Sequence, residues 1–468
     1  MRDVIHAVDR IARPIARKAL PASIAARLAA VARAFEFALA KQEEKAFAAR
    51  DVPLAAFPRL LRSEEFADGP VILCNNALAS GGVERQIVNT LKGLAPRLRQ
   101  APGLLCVQLN ASRDHDFYLS ALKDYPGQIR NVIDFADAQT YLADAGAAAV
   151  DGIQHTIGWM PSYARAEIMR FMADFIRLKP SVVHAWQDSL SISAGYAARL
   201  AGVPRIIISS RNMAASHFAY HRPYMANAYR ELASCKEIVM LNNSEAGAHD
   251  YAGWLGIPVE RYRIVRNGID AETIARPAPE ASQALRQKLR LPPGVPVVGS
   301  IFRFYPEKRP NLWIEAAARV AAKRPDCHFV IFGNGPMRKR VLSSAKKYGF
   351  ADRLRCPGTI EDAALGLSIM DAFLLTSALE GTPNVVLEAE LMEVPVVATE
   401  AGGTREAIDD GITGFVVPPS GDKLAEKLLK ILSDEPWRVR TGSAGRQFVL
   451  TRFSLDRMLD ETLAIYHN

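Results

Sequence analysis

The sequence has few cysteines, and their arrangement fits neither a disulfide framework nor a metal site. The 468-residue chain contains five cysteines, which are far apart and include no Cys-x-x-Cys pair. An odd number of scattered thiols is not typical of a disulfide-stapled secreted domain or of a zinc site. We therefore expect a reducing, cytoplasmic environment and no bound metal.

Long apolar runs are also missing. No uncharged apolar stretch reaches the roughly 18 residues that a membrane-spanning helix needs. The N-terminus lacks the apolar core of a secretory signal. Hydrophobic residues make up 49% of the chain and charged residues 23%, which is ordinary for a globular protein. The length allows two to four domains.

Positive charge is concentrated at the N-terminus. The net charge is +8, and residues 1–35 hold seven Lys/Arg against two acidic residues. No basic and aromatic motif accompanies this charge, so a nucleic-acid partner is not favoured. We expect residues 1–65 to form a basic, amphipathic helical extension. Its apolar stripe consists of Ile24, Leu28, Val31, Phe35 and Leu39.

Two interpretations of this stripe remain open. An apolar helix face usually packs on the domain beside it. A basic amphipathic helix can instead lie on an anionic membrane surface. In that case residues 1–40 would make the protein peripheral at the inner face of the cytoplasmic membrane.

The remainder of the chain alternates short apolar runs with helical patterns, first up to about residue 275 and again from residue 297. Alternation of this kind predicts an α/β fold with parallel sheets covered on both faces. A Pro-rich, charged stretch at 276–296 reads as a linker with one short helix. The predicted strands are Val71–Cys74, Leu104–Val107, Ser181–His184, Arg205–Ser209, Glu237–Leu241, Val297–Ile301, Cys327–Phe332, Ala372–Leu375 and Pro395–Ala398.

Ligands of open α/β sheets bind where the strands end, so the residues after each strand are site candidates. After the first strand, Gly81 and Gly82 open a helix, and their amides could approach an anion. The same pattern also fits an ordinary tight turn. After Val297–Ile301, Arg303 and Lys308 stand where a helix begins. Two cations there are unfavourable unless an anion lies between them, although two solvated charges are an equal alternative.

After Ala372–Leu375 the sequence predicts a second anion site at a helix start. Thr382 is a suitable N-cap and Pro383 a suitable first residue. The amides of Asn384 and Val385 would then be free to bind an anion. Glu380 and Glu388 flank this point, although their spacing alone has no diagnostic value.

Together these motifs resemble the retaining glycosyltransferases of family 4, which have the GT-B fold. The resemblance covers about residues 69–440 and depends on the order of the whole set. It implies two Rossmann-like domains facing each other across a cleft, at 66–275 and 297–440, with C-terminal helices at 441–468 that cross back. The motifs are Gly81–Arg85, Val265–Asp270, the Arg303 to Lys308 loop, Phe332–Pro336, Glu380–Glu388 and Gly402–Glu406.

The resemblance also implies roles for single residues. Gly81 and Gly82 would contact the diphosphate or sugar of the donor, and Arg303 and Lys308 would hold the diphosphate. The other implied donor contacts are Glu380 to the sugar hydroxyls, Glu388 to the ribose, Thr359 and Ile360 to the base, and Thr382, Asn384 and Val385 at the helix start. Glu380, Arg303 and Lys308 would carry catalysis, with no metal and no cofactor.

One position departs from the family pattern. Many relatives have histidine two residues after the one that matches His184, and here that position is Trp186. Trp186 could offer a stacking surface to a sugar or lipid, with Arg211 as a second acceptor contact. The role of the absent histidine is either dispensable or shared by Gln187, Asp188 or Arg211.

The resemblance thus implies transfer of a sugar from a nucleotide-diphosphate sugar, UDP- or GDP-linked, to a hydroxyl of a glycan or lipid-linked acceptor. Cell-surface polysaccharide synthesis is the expected setting. The same fold also hosts sugar-nucleotide epimerases and phosphorylases. A non-catalytic sugar-nucleotide-binding protein is a further alternative.

Overall fold

The computed structural model describes residues 53–110, 115–144 and 147–467. The predicted basic stripe in residues 1–40 lies outside this part of the chain. Residues 53–65, the described end of the expected extension, form 3₁₀ turns rather than α-helix. They pack on the first half, where the Leu60 amide donates to the Leu200 carbonyl at 2.9 Å.

The first sheet has seven described strands, all parallel, in the order β3-β2-β1-β4-β5-β6-β7. Its strands are β1 (Val71–Asn75), β2 (Gly103–Cys106), β3 (Ile129–Asn131), β4 (Val182–Trp186), β5 (Arg205–Ser210), β6 (Ile238–Asn242) and β7 (Tyr262–Ile264). Its helices are α1 (Gly82–Leu94), α2 (Phe135–Asp144), α3 (Ala147–Ile157), α4 (Ser162–Leu178), α5 (Asp188–Ala201), α6 (Tyr224–Ser234) and α7 (Glu245–Leu255). The apolar run Ile206–Ile208 within β5 is buried because helices cover both faces of the sheet.

The second sheet has six described strands, also parallel, in the order β10-β9-β8-β11-β12-β13. They are β8 (Val297–Ile301), β9 (His328–Phe332), β10 (Leu354–Gly358), β11 (Ala372–Leu375), β12 (Val396–Thr399) and β13 (Gly414–Val417). The remaining helices are α8 (Pro279–Lys288), α9 (Pro310–Lys323), α10 (Arg338–Lys347), α11 (Ala363–Leu367), α12 (Asn384–Leu391), α13 (Gly421–Ser433), α14 (Glu435–Arg452) and α15 (Leu455–His467).

Both sheets contain the doubly wound strand order 3-2-1-4-5-6, and β7 extends the first. This order reverses direction between β1 and β4 and again between β8 and β11. The crevice at such a reversal, outside the carboxyl ends of the strands, is where ligands bind in this architecture. The expected pair of Rossmann-like domains is therefore confirmed, and the site should be built from the loops that follow these four strands.

The chain crosses between the halves twice, and the two crossing segments bond to each other. The Ile269 amide donates to the Phe453 carbonyl at 2.7 Å, and the Leu455 amide donates to the Ile269 carbonyl at 3.1 Å. Beyond this point α15 packs against α1 of the first half. The Tyr466 hydroxyl lies 2.8 Å from Nδ1 of His184 in the first sheet.

The described helices include none that combines the length and apolar character of a membrane span.

Candidate active site

The turn after β1 brings the first half into contact with the second. Gly81 precedes α1 with an extended backbone. A Cβ on Gly81 would lie 2.2 Å from Oε2 of Glu84, and one on Gly82 would lie 2.7 Å from Nδ2 of Asn384. Asn384 Nδ2 donates to the Gly82 carbonyl at 3.1 Å. The two glycines therefore make room for side chains from both halves.

The loop after β8 places the two predicted cations where α9 begins. Lys308 ends a short 3₁₀ helix, and its ammonium donates to Oε1 of Glu380 at 2.5 Å. Arg303 is exposed, with its guanidinium carbon 5.4 Å from the ring centroid of Tyr305. Burial raises the pKa of Glu84 in the turn after β1 and the charge of Arg303 opposes that rise, so Arg303 lies near this turn of the first half. The structure thus gathers Arg303, Lys308 and Glu380 near the reversal of the second sheet.

The predicted glycine turn after β9 packs against the loop that follows β8. Gly333 and Gly335 have φ of 139° and 153°, and a Cβ on either would collide with the backbone of Phe302 or Phe304. The Phe304 amide donates to the Asn334 carbonyl at 3.0 Å. Glycine at these two positions allows the turn to lie directly against the segment that carries Arg303.

The start of α12 differs from the prediction. The helix begins at Asn384 with Pro383 before it, and Thr382 does not cap it. The Thr382 hydroxyl donates to the Asn243 carbonyl of the first half at 2.5 Å. Because the Thr382 hydroxyl bonds across the cleft, it is not available to cap the helix. The local sequence does not indicate this contact. The first amide to bond back is that of Val386, to the Pro383 carbonyl, so the amides of Asn384 and Val385 precede it.

The side chain of Asn384 joins the two halves rather than pointing into open solvent. Its Oδ1 accepts from Nδ2 of Asn267 at 2.7 Å and from Nε2 of Gln86 at 3.4 Å. Asn267 Oδ1 in turn accepts from the guanidinium of Arg211 at 2.6 Å. Arg211, a predicted acceptor contact, therefore belongs to the same hydrogen-bond network as Asn267 and Asn384. Burial lowers its pKa to about 9, so it stays a cation at neutral pH.

Glu388 is buried and paired with Arg85. Its side chain is 1% exposed, and its Oε1 accepts a hydrogen bond from the Arg85 guanidinium. Burial raises the pKa of Glu388, and the Arg85 charge opposes that rise. A ribose contact at Glu388 stays a prediction.

Trp186 does not offer an open stacking surface, which corrects the expectation. It is 2% exposed, the Arg211 guanidinium carbon lies 4.3 Å from its ring centroid, and the His184 ring lies 4.9 Å away. Burial lowers the pKa of His184 to about 3, so this histidine is neutral. An aromatic residue at the end of a strand buried between two sheet neighbours becomes core, whatever its preference for sugars.

Thr359 and Ile360 follow β10, at the edge of the second sheet. Thr359 is exposed and Ile360 half-buried. A Cβ on Gly366 would lie 3.2 Å from both Ile360 Cδ1 and Phe332 Cε2. Ile360 therefore lies over the end of β9, and its proposed base contact stays untested.

Sequence reasoning missed two residues that face the cleft, Glu84 and Arg85, and named Gln187 only as one of three residues that could share the role of the absent histidine. Glu84 and Arg85 belong to the quoted Gly81–Arg85 motif, but only its glycines were given roles. Gln187 has φ 72° and ψ 162°, a region that is essentially restricted to glycine and costs about 1–3 kcal/mol. No sequence signal marks such a conformation.

The loop between β8 and α9 offers positive charge to an anion. It carries Arg303 and Lys308, two cations of the kind that suit a diphosphate. Within the described residues, no group of three or more His, Cys, Asp or Glu side chains is placed to hold a metal ion. Two facing Rossmann-like halves with a polar cleft between them define the GT-B fold.

Comparison with known proteins adds the activity class, which is glycosyltransferase. Residues 281–448 match the family model described as "Glycosyl transferases group 1". A Vi polysaccharide biosynthesis protein of Salmonella typhi is 27% identical over 433 residues, covering 88% of this chain and 72% of that protein. An alpha-D-kanosaminyltransferase of Streptomyces kanamyceticus is 27% identical over 328 residues, covering 66% of this chain and 83% of that protein.

Solved structures share the fold. HepE from Anabaena, crystallised in complex with UDP and glucose, superposes with a TM-score of 0.67 at 17% identity, covering 86% of this chain and all of that chain. Sucrose-phosphate synthase from Thermosynechococcus elongatus superposes with a TM-score of 0.66 at 17% identity, covering 85% of this chain and 98% of that chain. At these identities the likeness concerns the fold alone.

Proposed function

We propose that this glycosyltransferase is a metal-independent, retaining enzyme of family 4. In this proposal residues 297–440 bind a nucleotide-diphosphate sugar and residues 66–275 bind the acceptor. The carrying observation is that Arg303, Lys308 and Glu380 stand at the reversal of the second sheet, facing the Gly81 turn of the first. A diphosphate between these elements would meet two cations and a helix N-terminus.

Each part of the donor has a candidate partner. Arg303 and Lys308 would neutralise the diphosphate, since preorganised charge aimed at a developing anion is usually the largest catalytic effect. Glu380, held by Lys308 at 2.5 Å, would accept from the sugar hydroxyls. Ile360 and Thr359 would border the base.

The proposed step breaks the bond between the anomeric carbon and the phosphate oxygen. The acceptor hydroxyl forms its new bond to that carbon on the face from which the diphosphate departs, which retains the configuration. The hydroxyl proton passes to the departing phosphate oxygen, so no protein base is required. Stabilisation of the leaving diphosphate by Arg303 and Lys308 takes the place of a metal ion.

The setting is proposed from relatives. A Vi polysaccharide biosynthesis protein is among them, and so is a lipopolysaccharide core glycosyltransferase of Rhizobium meliloti. We therefore assign the acceptor to glycans or lipid-linked saccharides of the cell surface, modified at the cytosolic face of the membrane. HepE was solved with UDP and another relative is a GDP-mannose-dependent enzyme, so both UDP- and GDP-sugars are candidates.

A donor screen tests the proposal. UDP-, GDP- and ADP-sugars are added to the full-length protein and thermal stabilisation is measured, since a ligand at about 100 times its Kd adds roughly 2.7 kcal/mol. The stabilising donor is then incubated with octyl glycosides of common hexoses, with and without EDTA. We expect an α-linked product from an α-linked donor at an unchanged rate in EDTA. Product of inverted configuration, or activity that needs magnesium or manganese, would contradict the mechanism, and conversion without acceptor would indicate an epimerase.

A further inference from the structure

The strained backbone of Gln187 lies where the first sheet reverses its strand order. Gln187 directly follows Trp186, the last residue of β4, and is the residue before α5. Its φ of 72° is rare for a residue with a side chain. Such a conformation persists only where the surroundings hold it, and these positions cluster at functional sites.

Both ends of the Gln187 side-chain amide are hydrogen-bonded. Its Oε1 accepts from Nδ2 of Asn76 at 2.9 Å, and its Nε2 donates to Oε1 of Glu84 at 2.9 Å. Asn76 follows β1 and Glu84 lies in the first turn of α1. The strained residue therefore fixes the amide that holds a carboxylate at the cleft.

The side chain of Glu84 is fixed by its neighbours although it is not part of the hydrophobic core. Its other oxygen lies so close to Gly81 that a Cβ there would be 2.2 Å away. It is half-buried, and burial raises its pKa while hydrogen bonds and the charge of Arg303 lower it. A carboxylate held between the acceptor half and the diphosphate-binding loop is placed to meet a substrate group.

The chemistry of that group follows from the carboxylate. An ionised carboxylate only accepts hydrogen bonds, so its partner is a hydrogen-bond donor, such as a saccharide hydroxyl, and not a phosphate or a uronate. The attacking hydroxyl gives its only proton to the leaving phosphate and cannot also donate to Glu84. A second hydroxyl of the acceptor, next to the one that attacks, can donate to it.

We propose that Glu84 binds a hydroxyl adjacent to the attacking one, that Gln187 is the residue that positions Glu84, and that the acceptor is a saccharide with neighbouring free hydroxyls. This inference rests on the proposed function and adds the class of acceptor and the residue that reads it. The structure holds Glu84 in place before any acceptor binds, which reduces the ordering cost of binding.

Steady-state kinetics test the inference with the donor and octyl glycoside found in the screen. Glu84→Gln should lower kcat/KM for the acceptor about 50-fold or more, while the donor Kd from calorimetry stays within threefold. The matched control is Glu280→Gln, an exposed glutamate in the first turn of α8, which should change kcat/KM less than twofold. A donor Kd that rises as much as kcat/KM falls would place Glu84 on the donor and overturn the inference.

Gln187→Gly separates positioning from structure. Glycine relieves the backbone strain but removes the amide that holds Glu84, so we expect a melting temperature at or above that of the wild type and an acceptor kcat/KM about tenfold lower. A lower melting temperature with normal turnover would show that Gln187 is purely structural.

Deoxy analogues identify the bonded hydroxyl. One monodeoxy acceptor should be as poor with the wild type as the parent acceptor is with Glu84→Gln, and the substitution should cost that analogue little more. Equal further losses for every analogue would refute the contact. A wild-type protein that turns over no donor would instead refute the proposed function and this inference with it.

Discussion

Arg85→Met removes the cation that faces the buried carboxylate of Glu388. Methionine keeps the unbranched apolar stem of the side chain but lacks the guanidinium, so the main change is the loss of charge and its hydrogen bonds. Glu388 is 1% exposed, whereas the Arg85 side chain is 26% exposed. The substitution therefore leaves a charge buried without its partner.

The expected cost is large and depends on pH. Removing one partner of a buried ion pair typically costs about 3–5 kcal/mol. Burial already raises the pKa of Glu388, and without Arg85 the rise becomes greater. A carboxyl with a raised pKa binds more protons when folded, so its unfavourable contribution grows as pH rises through that pKa. We expect a deficit of about 3–5 kcal/mol at pH 7.5 and a smaller one at pH 5.

Urea denaturation at the two pH values measures this, with Arg97→Met as the matched control. Arg97 lies in the turn after α1 and pairs with Asp456 and Asp460 of α15, but those carboxylates are 81% and 72% exposed. Exposed pairs contribute about 0–1 kcal/mol, so the control should lose little. The double variant Arg85→Met with Glu388→Gln should recover most of the deficit, because no charge is then left buried.

The reasoning fails if Arg85→Met costs no more than Arg97→Met. Such a result would mean that the halves separate at little cost and let water reach Glu388. X-ray scattering would then show a larger radius of gyration for Arg85→Met than for the wild type.

Three further predictions concern other parts of the chain. Lys308→Met or Arg303→Met should lower kcat about 10²–10³-fold without unfolding the protein. Near-normal turnover in either variant would contradict the assignment of these residues to the diphosphate. The control is Lys346→Met, which changes an exposed lysine of α10. Burial raises the pKa of Asp188 to about 6, so folding stability falls as pH rises towards that value, and Asp188→Asn should flatten this part of the pH profile of the urea midpoint. The intact protein should bind anionic vesicles in a salt-sensitive way, and deleting residues 1–40 should abolish binding while sparing donor binding; an intact protein that ignores such vesicles would favour core packing of the predicted stripe.

Local patterns predicted the strands that are apolar and buried on both faces. The predicted bounds of β8 and β11 match the structure residue for residue. The strands that were missed are short or carry polar residues and proline, as in Ile129–Asn131 and Leu354–Gly358. They lie at or beside the sheet edges, where less burial is needed and the apolar signal is weaker.

The site was predictable only in part, because local sequence patterns do not report contacts between distant parts of the chain. The loops that follow β1, β8 and β11 were identified because strand ends meet at one edge of a parallel sheet. Contacts between the halves were not, since Arg85 and Glu388 are 303 residues apart along the chain and no local pattern links them. Thr382 shows the same limit, because a suitable cap bonds across the cleft instead.

The two crossing segments, bonded to each other at Ile269 and Phe453, have a mechanical consequence. A single flexible tether would let one half twist, slide and tilt relative to the other. Two adjacent strands of backbone, joined by hydrogen bonds on both sides of Ile269, resist torsion and leave bending about one axis as the easy motion. The cleft would then open and close by a hinge motion about that axis. After each catalytic cycle Arg303 and Lys308 would return to the same position opposite Glu84, so the two halves would need no separate alignment step.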